Sequence, residues 1–352
     1  MFTKLLKEVG RGKRGARDLS YDEALLAAEL IFDLQATPAQ LGAFLIAERI
    51  KMESIEELEA FVTVCRRHAY RGFNQHGLDC AGPYDGRKQS FLATLPTAFV
   101  LASAGLPVTL HGMASLPPKW GVGVHDVLRE SGIDADSIPR DKLVQAAVDT
   151  GVLYVPAEQW CPPLRALRPI RIELGMRTVL NTAEKLIDYA HSPYLVFGVY
   201  HNTVFERIAR LATSLAYTKA LVVQGAEGSE DLFIERPTRV YQVQGGEFAL
   251  QVVDPDSYGL ETQPPATEWT PLAQLRATEA ALQGRGHIAF VNQVLLNAAV
   301  RLQLAEKAES IEEALYTCKA LLDQGAPWEL YSRWRRMLQA EGARTYPQGA
   351  AT

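Results

Sequence analysis

The sequence predicts an α/β protein in which a small N-terminal helical domain precedes a larger domain with a mostly parallel central sheet flanked by helices. Three observations predict it: three helix-start signals within the first seventy residues, β-branched runs alternating with helical stretches beyond residue 75, and one tight antiparallel pair late in the chain. Ser20-Tyr21-Asp22-Glu23 has the S-x-x-E form of a capping box, in which hydroxyl and carboxylate satisfy the exposed amides of a first helical turn. Ala24, Leu25, Ala28, Ile31 and Phe32 follow at helical spacing. Thr37-Pro38-Ala39-Gln40 repeats the signal with proline at the first helical position, ahead of Leu41, Phe44, Leu45 and Ile46. Ser54-Ile55-Glu56-Glu57 gives it a third time before Leu58, Phe61 and Val62.

Strands are expected at 107–110, 152–155, 194–200 and 219–223, with helical spacers such as 91–104 and 204–217. Strands alternating with helices imply parallel pairing through right-handed crossovers. Residues 239–243 and 247–253, joined across Gln244-Gly245-Gly246, read as a hairpin near the sheet edge. Residues 254–271, rich in Pro, Thr and Asp, read as a surface linker, and 288–304 and 310–322 as further helices. The expected domains are 1–72, helical and joined by helices from about 173–192, and an α/β domain of 73–172 with 193–345.

A chain of 352 residues holds about two domains. With 47% hydrophobic and 22% charged residues it is neither disordered nor fibrous. Its 36 Lys and Arg against 41 Asp and Glu give a formal −5, which excludes a globally basic nucleic-acid binder but leaves room for a local patch. The polar start and the lack of a long apolar run predict no signal peptide and no membrane partner. Cys65, Cys80, Cys161 and Cys318 lie far apart without a C-x-x-C pair, which argues against a zinc site or disulfide framework and fits the reducing cytoplasm.

Several segments together resemble anthranilate phosphoribosyltransferase and its glycosyltransferase family 3 relatives. Arg171-Ile-Glu-Leu-Gly-Met-Arg-Thr-Val-Leu-Asn181 resembles the family's R-x-x-L-G-x-R-T-x-F-N run. Leu110-His111-Gly112-Met113-Ala114-Ser115, after Ala104-Gly105-Leu106-Pro107-Val108, sits where the family has K-H-G-N-R-S. Gly225-Ala-Glu-Gly-Ser-Glu-Asp231 follows a buried-strand pattern as the family's G-x-D-E loop does, and Leu296-Asn297-Ala298-Ala299 resembles a late helix. The pieces run in family order from about residue 20 to 325.

The departures fall on the chemistry. A G-T-G-G-D loop lets backbone N–H groups approach a diphosphate closely. Here the stretch reads Cys80-Ala81-Gly82-Pro83-Tyr84-Asp85-Gly86, in which Pro83 has no N–H and Tyr84 fills space. The polar F-N-x-S-T has become Phe91-Leu92-Ala93-Thr94-Leu95, Leu110, Met113 and Ala114 replace Lys, Asn and Arg, and Glu230-Asp231 reverses the family's acidic order. Gly82, Asp85, His111, Gly112, Ser115 and Arg171 are thus expected to form a vestigial substrate site with no catalytic residue. Lys7-Glu8-Val9-Gly10-Arg11-Gly12-Lys13-Arg14-Gly15-Ala16-Arg17-Asp18-Leu19 and Tyr84-Asp85-Gly86-Arg87-Lys88-Gln89 resemble signatures of the YbiB-type bacterial paralogues. That resemblance implies a homodimer binding single- or double-stranded nucleic acid without sequence preference, and no cofactor.

The N-terminal run carries Lys4, Lys7, Arg11, Lys13, Arg14 and Arg17 against Glu8 and Asp18, spaced by Gly10, Gly12 and Gly15 on a backbone expected to be flexible. It reads as either a phosphate-contacting arm or a solvated terminus. Arg87 and Lys88 are either phosphate contacts or exposed turn cations. Arg207 and Arg210 lie one turn apart, followed by Lys219. Arg333, Trp334, Arg335 and Arg336 combine cations with an aromatic able to stack on a base. Arg171 is either a carboxylate-binding arginine, as the resemblance implies, or a structural one beside Glu173. His111 is expected to be a packed histidine. The alternative function is transfer of phosphoribose from PRPP to anthranilate or a similar aromatic base, with Mg²⁺ held by Glu230 and Asp231.

Overall fold

A computed structural model describes residues 1–12 and 14–339; Lys13, one of the expected nucleic-acid contacts, lies outside them. The basic start is folded rather than free. Phe2, Leu5 and Val9 line up at helical spacing and bury one face of α1 (Phe2–Val9). The Arg17 amide then donates to the Glu8 carbonyl, and the Arg17 guanidinium pairs with Glu8 at 3.0 Å and Glu23 at 2.7 Å. Over the described residues, the expected flexible arm is corrected to the helix α1 followed by an Arg17 held by Glu8 and Glu23.

The three start signals form as read. Ser20, Thr37 and Ser54 each accept a backbone amide three residues on, and Glu23, Gln40 and Glu57 close the box in return, opening α2 (Tyr21–Phe32), α3 (Pro38–Lys51) and α4 (Ile55–His68). Phe44 and Phe61 meet within their shared core.

The sheet has seven strands in the order β3-β2-β1-β4-β5-β6-β7. These are β1 (Leu78–Ala81), β2 (Val108–Gly112), β3 (Val152–Pro156), β4 (Tyr194–Gly198), β5 (Lys219–Val223), β6 (Thr238–Gln244) and β7 (Glu247–Val253). The first five pair in parallel; β6 and β7 add an antiparallel edge, the hairpin the glycines announce. The unexpected β1 is central and buried on both faces, so it has no alternation to betray it.

Around the sheet run α5 (Thr94–Ser103), α6 (Val124–Glu130), α7 (Arg140–Thr150), α8 (Ala157–Trp160), α9 (Pro162–Leu174), α10 (Leu180–Ala183), α11 (Asn202–Ser214), α12 (Pro271–Leu282), α13 (Ile288–Leu304), α14 (Ile311–Asp323) and α15 (Ala326–Leu338). α9 packs on α3, and α10 on α4, so the segment between β3 and β4 tops the helical bundle. Among the described residues no helix is long and apolar enough to cross a membrane. The chain leaves β1 for β2 on one side while β4 joins it on the other, and loops at the carboxyl ends beside such a reversal are where open α/β sheets place ligands.

Candidate functional site

Loops after β1, β2 and β5 converge there, and the side chains they carry are already spent on one another. Tyr84 is buried with its hydroxyl 2.6 Å from His111 Nδ1 and 3.3 Å from the Glu184 carbonyl. His111 Nε2 lies 3.0 Å from Asp79, so a proton on Nε2 leaves Nδ1 to accept from the phenol. Burial pushes the Tyr84 phenol well above its ordinary range. His111 is the packed histidine expected.

Arg87 corrects an expectation. It is 1% exposed, donates to the Phe91 carbonyl at 2.7 Å, and pairs with Asp231 at 2.7 Å, with Glu230 at 3.6 Å. Neither a phosphate contact nor an exposed turn cation, it is an internal counter-ion. Arg301, from the apolar face of α13, reaches the other Asp231 oxygen at 2.8 Å and the Glu230 carbonyl at 3.1 Å. The Thr94 amide donates to Asp231 as well. Asp231 therefore spends both oxygens on two guanidiniums and an amide, which does not fit a divalent cation seeking bare carboxylate oxygen.

The space where the resemblance places a diphosphate is occupied by the protein itself. A Cβ on Gly82 would stand 2.7 Å from a Glu230 carboxylate oxygen, so the glycine gives its close approach to an acid instead of an anionic ligand. The space left between Gly82, Tyr84, Arg87, His111, Gly112 and Glu230 is ≈ 20 Å³, room for about one water. Glu227 pins the loop after β1, accepting the Lys88 and Gln89 amides at 2.9 Å and the Ser90 hydroxyl at 2.8 Å.

Asp85, Ser115 and Arg171 stand outside that space. Asp85 pairs with Arg177 at 2.7 Å and Lys119 at 3.2 Å. The Ser115 carbonyl accepts from Arg168. Arg171 is structural, but its partner is Glu184, gripped by two bonds of 2.6 and 2.8 Å, not the expected Glu173. Residues two apart on a helix face different ways.

The expected nucleic-acid contacts divide. Arg11 pairs with Glu8, Arg17 with Glu8 and Glu23, Arg210 with Glu206, and Lys219 with Glu306. Trp334 is buried and donates to the Val152 carbonyl, so it offers no face to a base. Lys7, Arg14 and Lys88 are exposed, with no ion pair among the described residues. Arg207 turns inward to the Glu53 carbonyl. Elsewhere, Glu29, Asp33 and His68 bring ligand atoms within 4.8 Å of one another, but Arg67 and His68 already serve Glu29 as partners.

Sequence reasoning missed Glu184, Lys185, Glu227 and Arg301. Only Arg301 leaves a signal, as a charge inside the apolar run of α13 that must find a buried partner. Lys185 lines a larger cleft of ≈ 330 Å³ between α3, the loop after β1, α10, the end of β4 and α11.

Residues 3–69 match the family described as "Glycosyl transferase family, helical bundle domain", and residues 78–327 that described as "Glycosyl transferase family, a/b domain". Anthranilate phosphoribosyltransferase of Thermomicrobium roseum is 33% identical over 331 residues, 92% of this chain and 94% of that protein. The Symbiobacterium thermophilum protein of the same name is 32% identical over 96% of this chain and 99% of its own length. Among solved structures, anthranilate phosphoribosyltransferase of Thermus thermophilus superposes with a TM-score of 0.83 at 24% identity, covering 96% of this chain and 99% of that one. The Saccharomyces cerevisiae protein in complex with PRPP and Mg gives 0.79 at 18% identity, covering 96% and 97%.

Proposed function

The chain belongs to the glycosyl transferase family that joins a helical bundle to an α/β domain, and from that premise we propose that it works by binding nucleic acid on its surface rather than by transferring phosphoribose. One observation carries the negative half of this reading: the cradle that would take a diphosphate holds ≈ 20 Å³ and a carboxylate. A ligand bearing several negative charges meets Glu230 there, and Asp231 is held away from a metal that would screen it. Lys7, Arg14 and Lys88, exposed and uncommitted, support the positive half, in which phosphates are met from outside without a pocket. Binding of this kind releases counterions and carries little sequence preference. A homodimer would present the set twice and raise its effective concentration. Four buried free thiols suit a cytoplasmic setting.

The relatives weigh toward a second reading, phosphoribosyl transfer from PRPP to anthranilate or a similar aromatic base. Full-length proteins of that name align with this chain, and a neighbour of the same fold holds PRPP and Mg. Asp231, spent on two guanidiniums and an amide, does not fit that metal.

Calorimetry with PRPP and Mg²⁺ separates the two. The first reading expects no binding heat at millimolar PRPP, and saturable binding would overturn it. In parallel, a labelled DNA duplex titrated at several salt concentrations should bind with an affinity that falls steeply with salt. Changing Lys7, Arg14 and Lys88 together to Ala should flatten the log–log slope by about 2.7 for each chain engaged, at ~0.9 per phosphate contact. A duplex that fails to bind at low salt removes the nucleic-acid reading.

A further inference from the structure

The two edges of the sheet are finished differently. Strand β3, at one end, is buried along its whole length, and Trp334 bonds its first carbonyl. Strand β7, at the other, is open. It pairs only with β6, residue for residue and without a bulge. Among the described residues no other segment bonds the backbone groups on its outer side. Such a row of free donors and acceptors is a template for another strand, and proteins usually blunt it with charge, proline, a bulge or a covering loop. Between Phe248 and Val253, β7 carries no charge and no proline, and its residues are largely exposed.

The side chains on one face strengthen the case. Alternation puts Phe248, Leu250 and Val252 together, opposite Val243, Tyr241 and Arg239 of β6. Phe248 is partly covered, its ring centre 5.4 Å from that of Tyr241 and 5.3 Å from the Arg210 guanidinium. Leu250 and Val252 are open, at 47% and 60% exposed. An apolar pair beside an unpaired backbone edge suits a strand that brings both hydrogen bonds and apolar side chains.

We propose that β7 is a self-association edge, pairing antiparallel with β7 of a second copy across a two-fold axis at Leu250. In that register the strand is complementary to itself. Leu250 meets Leu250 of the partner subunit, Phe248 meets Val252 of the partner subunit, and Ala249 meets Gln251 of the partner subunit. Every apolar side chain of the exposed face is thus opposed by another, the pairing that stabilises a sheet. Glu247, the strand's one charge, meets Val253 of the partner subunit, and the two Glu247 carboxylates fall about 20 Å apart at opposite ends. No like charges confront each other across the edge. An isologous contact needs this self-complementarity, and a second copy supplies it by symmetry. Each chain carries −5 overall, so the copies repel at long range and salt should favour the contact. One strand pair is a small interface, which makes the association concentration-dependent. The proposal does not rest on the nucleic-acid reading, whose salt dependence has the opposite sign.

The test is sedimentation velocity of the full chain from low micromolar to near-millimolar concentration. The parent should reach about twice the mass of a Leu250→Lys variant, which sets a charge where the two copies would meet. Added salt should raise the associated fraction of the parent. Register is read by cysteine cross-linking under mild oxidation. Leu250→Cys should cross-link to its counterpart, since opposed residues lie within about 5.5 Å of each other. Val252→Cys should not, its counterpart being roughly 14 Å away. The native thiols are buried and leave the background low. Equal masses for parent and Leu250→Lys across the range would overturn the proposal. So would cross-linking of Val252→Cys as fast as that of Leu250→Cys, or dissociation of the parent on adding salt.

Discussion

Asp231→Asn should destabilise the protein by about 3–5 kcal/mol, the usual loss when one partner of a buried ion pair is removed. The carboxylate is fully buried between Arg87 and Arg301, so the substitution leaves two guanidiniums facing one neutral amide. With ~2–4 °C per kcal/mol for chains approaching this size, the melting temperature should fall on the order of 10 °C. Arg301→Met should cost a similar amount, because Asp231, Thr94 and the Glu230 carbonyl all lose their donor. A metal ligand behaves in the opposite way: easing repulsion between neighbouring carboxylates leaves an empty site unharmed or more stable. Thermal melts with and without Mg²⁺ decide it. An Asp231→Asn protein melting at or above the parent, or a parent melt raised by millimolar Mg²⁺, would return Asp231 to a metal-binding role.

Lys185→Met should raise stability at pH 6 by on the order of 3–5 kcal/mol, a gain that shrinks steadily as the pH is raised. Burial, the first cause, pulls the Lys185 ammonium down from 10.5 to about 7, with Arg177 and Lys119 lowering it and Glu230 and Asp85 opposing. Between those values the unfolded chain binds the proton that the folded chain has shed, so parental stability rises with pH across this window. Below pH 7 the full penalty of a buried, charged lysine applies, at about 1.4 kcal/mol for each pH unit by which burial lowers the ammonium. Methionine keeps the stem's volume and removes the charge. Urea unfolding at pH 6, 8 and 10 is the measurement. A difference that stays constant across the series, or a variant less stable than the parent at pH 6, would refute this account of Lys185.

The fold is legible wherever local rules decide it. Capping boxes at Ser20, Thr37 and Ser54 are short-range chemistry, and each forms. So do the hairpin around Gly245 and Gly246 and the long helix from Ile288 to Leu304. Strand β1 is not legible, since four residues buried on both faces carry neither period. Nor is α1, whose apolar positions Phe2, Leu5 and Val9 are masked by the lysines between them. Tyr84 declares itself as the group that fills the cradle because its bulk is a local property. Arg87 misleads because its exposure depends on Asp231, brought from the far end of β5 by the topology of the sheet. Charge is written in the sequence; the partner that cancels it is not.

The pairing of Arg87 and Arg301 with Asp231, and of Arg171 with Glu184, has a consequence for redesign. Each group is an epistatic lock: exchanging a residue on one side strands its mate without a counter-charge, so a single substitution costs more stability than the matched exchange. Trimming Tyr84 alone likewise leaves the Glu230 acid in place. A redesign that opens this space to an anionic ligand must therefore exchange both halves of each group in one step.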